Sequence, residues 1–201
     1  MARIIDDKLI FIHIAKCGGT YIKEILSANG IKNKETGEEI VHDHISYNDL
    51  IKDNKNLLSY KFIATIRQPH NWIISRHSWA LRTEFNYKIK CQPTAQAHWM
   101  AKCWDDDLIK FTEKILINFP SIPTDYYQKM TNLLDIDCNT NIFTIENVEL
   151  LFSHIENETN NSIKIKSIEN IKKTDKKLLP NEMIKELIKN NQHIYNKYYG
   201  Y

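Results

Sequence analysis

The sequence predicts an α/β protein with an open parallel sheet flanked by helices. Three apolar runs of strand length, residues 8–15, 60–66 and 141–145, each lead into a segment with apolar residues at helical spacing. Strands that alternate with helices favour a parallel sheet, because each crossover helix returns the chain to the same edge. Ligands of such sheets bind at the carboxyl ends of the strands. We therefore expect the functional site near residues 16–20 and 67–75.

The first unit is a strand, a glycine turn and a helix. Residues 8–15 are apolar and rich in β-branched side chains, which is typical of a central strand buried on both faces. Gly18 and Gly19 form the turn, and Thr20 is expected to cap the following helix. Asn29-Gly30 supplies the signal that ends this helix.

The second unit begins with the strand at residues 60–66, which stops at Arg67. A helix follows and carries Ser75. It begins near Pro69, because proline is tolerated in the first helical turn, where its missing N–H has no partner to lose. The third strand leads into a helix predicted over residues 148–155.

The remaining segments are expected to cover the sheet within a single domain, residues 1–201. Residues 85–140 are rich in aromatic side chains at helical spacing, whereas residues 157–177 are dominated by polar residues and indicate an exposed loop. The last 22 residues have an apolar helical face that is expected to dock on the core. A length of 201 residues is in the range of one globular domain.

Composition excludes several classes of function. A net charge of +2 is too small for a protein that grips duplex nucleic acid. No apolar stretch is long enough to span a membrane, and the amino-terminal segment lacks the basic flank of a signal peptide. The four cysteines lack the spacing of a zinc site or a disulfide scaffold, which indicates reduced thiols in a cytoplasmic protein without a metal. These cysteines are Cys17, Cys91, Cys103 and Cys138.

The turn after the first strand has the composition of an anion-binding loop. Unpaired backbone N–H groups and the helix dipole favour a phosphate at a helix amino terminus. Two glycines let the backbone close around the anion, while Lys16 adds a positive charge and Thr20 a hydroxyl donor. The lysine precedes the glycines and the loop is short, so the pattern differs from the Walker sequence of ATP and GTP sites.

Residues 11–20, FIHIAKCGGT, resemble the 5′-phosphosulfate loop of PAPS-dependent sulfotransferases, commonly written H-I-P-K-x-x-G-T. Residues 66–75, IRQPHNWIIS, resemble the 3′-phosphate motif of that family, an arginine that closes a strand and a serine on the next helix. Residues 41–47, VHDHISY, are similar to the H-x-H segment of the glycan O-sulfotransferases. Alanine stands where the first motif often has proline, and Trp72 occupies a position that is frequently basic.

The resemblance implies a P-loop-NTPase-like fold and transfer of a sulfuryl group from PAPS to a hydroxyl, such as one on a saccharide, with PAP as the product. It implies that Lys16 holds the leaving phosphate oxygen and that His44 is the base. The implied donor-binding residues are Lys16, Cys17, Gly18, Gly19, Thr20, Tyr21, Arg67 and Ser75. Arginine offers a planar set of donors and serine a short hydroxyl donor, as a 3′-phosphate requires.

The residues leave alternatives open. His42 and His44 are two apart and would point the same way on an extended segment, so they could also be a metal pair or simple surface residues. His13 lies within the first apolar run and is interpreted as a core histidine. Rival functions are a small-molecule kinase that uses the glycine loop for ATP and a nucleotide-binding protein without turnover. The acceptor and the oligomeric state cannot be deduced from the sequence.

Overall fold

The computed structural model describes residues 2–35, 45–82, 98–135, 140–165 and 178–201. The chain divides into two compact units. The first comprises Met1–Arg67 and Tyr126–Ile171, and the second comprises Gln68–Asp125 and Lys172–Tyr201. The single domain expected from the sequence stays a prediction.

The first unit contains a mixed sheet of five strands within its described residues, in the order β3-β1-β2-β4-β5. The strands are β1 (Ala2–Ile5), β2 (Leu9–Ile12), β3 (Asn33–Glu35), β4 (Lys61–Ile66) and β5 (Thr140–Thr144). Strands β2, β4 and β5 are parallel neighbours, whereas β1 is antiparallel to both β2 and β3. The predicted α/β fold and its three parallel strands are confirmed, but the sheet as a whole is mixed, because β1 and β3 add antiparallel pairs.

The antiparallel strand arises from a tight turn that the sequence analysis did not assign. Asp6 and Asp7 both have positive φ, at 50° and 53°. The backbone N–H of Lys8 donates to the carbonyl of Ile5 at 3.0 Å. Positive φ at both central residues is the signature of a hairpin turn of type I′, and aspartate tolerates this conformation better than most side chains. The turn folds β1 back along β2.

The helices, in chain order, are α1 (Gly19–Ala28), α2 (Tyr47–Asp53), α3 (Pro69–Arg82), α4 (His98–Cys103), α5 (Leu108–Asn118), α6 (Ile122–Thr131), α7 (Val148–Thr159), α8 (Asn181–Asn190) and α9 (Gln192–Tyr199). In the part of the chain that the structure describes, short 3-10 helices cover Lys55–Ser59 and Ile145–Asn147. Among the described residues, no helix combines the length and the apolar character that crossing a membrane requires.

In the first unit, helices α1 and α7 pack on one face of the sheet. Alternate strand residues such as Leu9, Phe11 and Ile63 form a buried core with apolar side chains of both helices. The opposite face is covered in part by α2, whose Tyr47 ring meets the Phe62 ring edge-on at 4.8 Å between centroids. All four residues of β2 are buried, which confirms the prediction of a central strand buried on both faces.

The second unit is helical among its described residues. Helix α3 packs against α5 and α8, and α8 packs against α9. Its core contains stacked and tilted aromatic rings, including Trp72, Trp99 and Phe111. Asn191, which is 1% exposed, joins its segments. Its side chain accepts from the Thr124 hydroxyl at 2.8 Å and donates to the carbonyls of Pro120 at 3.1 Å and Leu187 at 2.9 Å.

Candidate functional site

Three segments meet at one edge of the sheet in the first unit. Because β2, β4 and β5 are parallel neighbours, their carboxyl ends lie side by side. Residues 13–18 follow β2, Arg67 follows β4, and the 3-10 helix Ile145–Asn147 follows β5. This edge therefore holds both Lys16 and Arg67, the two cations that the sequence analysis assigned to separate phosphates.

The loop that carries Lys16 is a sharp turn with two left-handed residues. Lys16 has φ of 68° and Gly18 has φ of 86°, and the Cys17 N–H donates to the Ile14 carbonyl at 3.2 Å. Gly18 is the N-cap of α1, which corrects the expectation that Thr20 caps this helix. A glycine has no side chain to accept from the first-turn N–H groups, so these donors can reach an anion. A left-handed conformation at a lysine costs about 1–2 kcal/mol, which is a reason to look for a function there.

Packing explains why both glycines are required. A Cβ atom at Gly18 would overlap the side chain of Ile145, in addition to the strain of its positive φ. A Cβ atom at Gly19 would overlap the imidazole ring of His13. His13 is half-buried, and its ring stacks near Phe11 at 6.4 Å between centroids. The glycine pair thus lets the loop fit between the end of β2 and the end of β5.

Hydrogen bonds from buried side chains tie the loop to the end of β4. The Thr65 hydroxyl donates to the Cys17 carbonyl at 2.6 Å. The Tyr127 hydroxyl donates to the Arg67 carbonyl at 2.8 Å, and the Cys17 sulfur lies 4.0 Å from the same hydroxyl. Cys17, Thr65 and Tyr127 are each 0% exposed. These bonds fix the loop of Lys16 against the backbone that carries Arg67.

The other predicted loop residues have mixed roles. Thr20 is exposed in the first turn of α1, where its hydroxyl is accessible. Tyr21 is half-buried and packs edge-on against Phe152 at 6.2 Å between ring centroids. Burial, together with the negative charge of Glu149, raises the pKa of the Tyr21 hydroxyl. Tyr21 therefore belongs in part to the core between α1 and α7, a role that the sequence analysis did not assign.

The predicted site residues that remain are Ser75, His42 and His44. Ser75 is on α3 in the second unit and is 8% exposed. Helix α3 begins at Pro69, as predicted, and the Gln68 carbonyl accepts the Trp72 N–H at 2.9 Å. His42 and His44 lie outside the described residues, so their predicted role is not tested by the structure.

Sequence analysis missed the three residues that hold the loop in place. Thr65 gave a signal, because it is a hydroxyl within an otherwise apolar buried strand and such a group needs a partner. Tyr127 and Ile145 gave none. They reach the loop from segments 110 and 127 residues further along the chain than Cys17 and Gly18, and no local pattern predicts that contact.

A cavity of about 440 Å³ lies elsewhere in the first unit, near the amino end of β4. It is lined by Tyr47, residues 58–62 and Asn141. None of the predicted site residues that the structure describes lines it, and its described walls carry no cluster of cations for a phosphate. Among the described residues, no group of three or more His, Cys, Asp or Glu side chains is placed to hold a metal ion. The carboxyl edge of the sheet is therefore the better candidate for an anion site.

No protein-family model matches the chain, and neither curated proteins nor solved structures give a significant match.

Substitution of the glycines should separate backbone strain from steric overlap. Gly18→Ala introduces both and should lower the free energy of unfolding by about 2–4 kcal/mol. Gly19→Ala introduces only the overlap and should lower it by about 1–3 kcal/mol. Gly30, with φ of 68° and open space around it, is the matched control. Gly30→Ala should cost only about 1–2 kcal/mol. Urea denaturation measures all three values.

His13→Ala tests whether the His13 ring causes the loss of stability in Gly19→Ala. If the His13 ring is what an added Cβ meets, His13→Ala should restore most of the stability that Gly19→Ala loses, and the two changes should be strongly non-additive. Additive losses from these two substitutions would contradict the packing described for the loop.

Proposed function

We propose that this protein is a PAPS-dependent sulfotransferase with a P-loop-like arrangement of its first unit. The observation that carries the proposal is the meeting of two cation-bearing segments at one sheet edge, the glycine loop with Lys16 and the strand end with Arg67. The loop leads from a buried parallel strand into a helix, as phosphate loops do. A strained backbone at Lys16 supports a role that selection maintains against its cost in stability.

In this proposal the donor is held at its two phosphate ends. The 5′-phosphosulfate lies at the amino end of α1, where it accepts from backbone N–H groups of residues 18–20 and from the Thr20 hydroxyl, and Lys16 supplies the charge. Arg67 binds the 3′-phosphate together with Ser75, as the resemblance of residues 66–75 implies. Cys17 takes part through its place in the loop and Tyr21 through its place in the first turn of α1. A bidentate guanidinium suits a phosphate better than a lysine does.

The reaction is an in-line transfer of a sulfuryl group. The acceptor oxygen attacks sulfur, and the bond from sulfur to the bridging oxygen of the 5′-phosphate breaks, which releases PAP. His44 accepts the proton of the acceptor hydroxyl, and Lys16 stabilises the charge that develops on the leaving oxygen. Positioning and charge stabilisation contribute most to such transfers, as in phosphoryl transfer. A hydroxyl-bearing acceptor such as a saccharide is consistent with the H-x-H segment.

Ligand stabilisation tests the donor. PAP should raise the melting temperature by roughly 5–10 °C at one hundred times its Kd, because it binds only the folded state. AMP lacks the 3′-phosphate and should give a much smaller shift. Differential scanning fluorimetry measures both. Arg67→Ala should reduce the shift with PAP to that with AMP. Equal shifts from PAP and AMP in the parent protein would remove the role of Arg67, and a larger shift with ATP and Mg²⁺ would favour a kinase.

Two substitutions at Lys16 should separate its charge from its strained backbone. Lys16→Ala and Lys16→Gly both remove the cation, so both should lose the stabilisation by PAP. Glycine relieves the strain of the left-handed backbone, but it also increases the conformational entropy of the unfolded chain. The first effect is larger, so Lys16→Gly should be more stable than Lys16→Ala by about 0.5–1 kcal/mol. Equilibrium unfolding with and without PAP gives both values. A variant that keeps the full PAP shift would show that Lys16 does not bind the donor.

Replacing the histidines separates chemistry from binding. His44→Ala should leave the PAP shift unchanged and lower the transfer rate by about 10²–10⁴-fold, the usual contribution of a general base. His42→Ala is the matched control and should affect the rate far less. An assay with labelled PAPS and a panel of hydroxyl-bearing acceptors measures transfer. Loss of activity in the His42 variant alone would assign the base to that residue, and binding of PAP without transfer to any acceptor would favour a nucleotide-binding protein without turnover.

A further inference from the structure

Tyr127 occupies a position between the two segments of the candidate site. Its hydroxyl donates to the backbone carbonyl of Arg67 at 2.8 Å and lies 4.0 Å from the sulfur of Cys17. The side chain is 0% exposed, and it comes from α6, a helix that supplies none of the predicted phosphate ligands. One hydroxyl thus contacts the residue that follows Lys16 and the residue that is expected to bind the second phosphate.

Thr65 makes a second link between the same segments. Its hydroxyl donates to the Cys17 carbonyl at 2.6 Å, and Thr65, near the end of β4, lies two residues before Arg67, which follows the strand. The Thr65 bond is buried and the Tyr127 bond is partly buried, and hydrogen bonds shielded from water hold their geometry more firmly than exposed ones. Two bonds from two different elements restrict both the distance and the angle between the loop and the strand end.

We propose that Tyr127, assisted by Thr65, fixes the spacing between the Lys16 loop and Arg67 and so sets the preference for a ligand with two separated phosphates. The inference rests on the proposed function, since that function assigns one phosphate to each segment. Tyr127 is a positioning residue, because it acts through the backbone of Cys17 and Arg67 and not on the ligand. A ligand that contacts two sites gains from their fixed separation, whereas a ligand that contacts one site does not.

The test compares PAP with the two monophosphates, adenosine 5′-phosphate and adenosine 3′-phosphate. Tyr127→Phe keeps the ring in place and removes only the hydroxyl. It should weaken PAP binding by about 3- to 10-fold, the fold-change that corresponds to the loss of one hydrogen bond, and leave the Kd of each monophosphate within about twofold. Isothermal titration calorimetry measures the three constants. Thr65→Val should likewise lower the affinity for PAP relative to the affinities for the two monophosphates.

Tyr47→Phe is the control, because Tyr47 is a buried tyrosine of the same unit that packs on Phe62 near the amino end of β4. It should leave the ratio of PAP to monophosphate affinity unchanged. Simple loss of folded protein would reduce the apparent affinity for all three ligands by the same factor, so it cannot produce the expected selective loss of PAP binding.

The outcomes distinguish the inference from the function on which it rests. A parent protein that does not prefer PAP to the monophosphates overturns the proposed function, and the claim about phosphate spacing with it. A parent protein that prefers PAP, with a Tyr127→Phe variant whose preference is unchanged, overturns the inference alone. Hydrogen exchange supplies a readout without ligand: amides of residues 13–20 and 65–68 should exchange faster together in Tyr127→Phe, and parent-like exchange in both segments also overturns the inference.

Discussion

The hydrogen bond from the Thr65 hydroxyl to the Cys17 carbonyl is the constraint on which the candidate site depends. It joins the loop after β2 to the penultimate residue of β4, at 2.6 Å and out of reach of water. Without a partner, a buried carbonyl costs about 1–3 kcal/mol, so the loop cannot move away from β4 unless it finds another donor. The positions of Lys16 and of the amino end of α1 follow from this contact, because both adjoin Cys17 in the chain.

The glycine pair can be explained either by packing or by anion binding. Gly18 and Gly19 fit against Ile145 and His13, and this packing would require glycine whether or not an anion binds. The glycines are therefore weak evidence for function by themselves. Lys16 is stronger evidence, since a glycine would adopt its φ of 68° with less strain, so a lysine there carries a cost in stability.

The sequence predicted the local parts of this structure and missed the contacts between distant segments. The strands at β2, β4 and β5 and the helices that follow them were correct, because buried apolar runs and helical spacing are local signals. The β1 hairpin was missed, since its turn uses two aspartates instead of the glycine that marks most such turns, and the sheet was therefore predicted as parallel. The loop was located correctly, but its attachment through Tyr127 and Ile145 depends on tertiary packing that no short window contains.

The electrostatics of the edge limit how an anion can be held there. Lys16 and Arg67 bring positive charge, but Glu149 is close enough to help raise the pKa of Tyr21 on α1. Glu149 is in the first turn of α7, where the helix dipole offsets part of its charge. With a net charge of only +2 on the whole chain, long-range attraction contributes little to anion binding. Under the proposed function, affinity for the donor would come from short-range donors, the N–H groups of α1 and the side chains of Lys16 and Arg67, whose effect depends on their spacing. A site of that kind would be sensitive to the rigidity of its loop, which the hydroxyl groups of Thr65 and Tyr127 contact at Cys17.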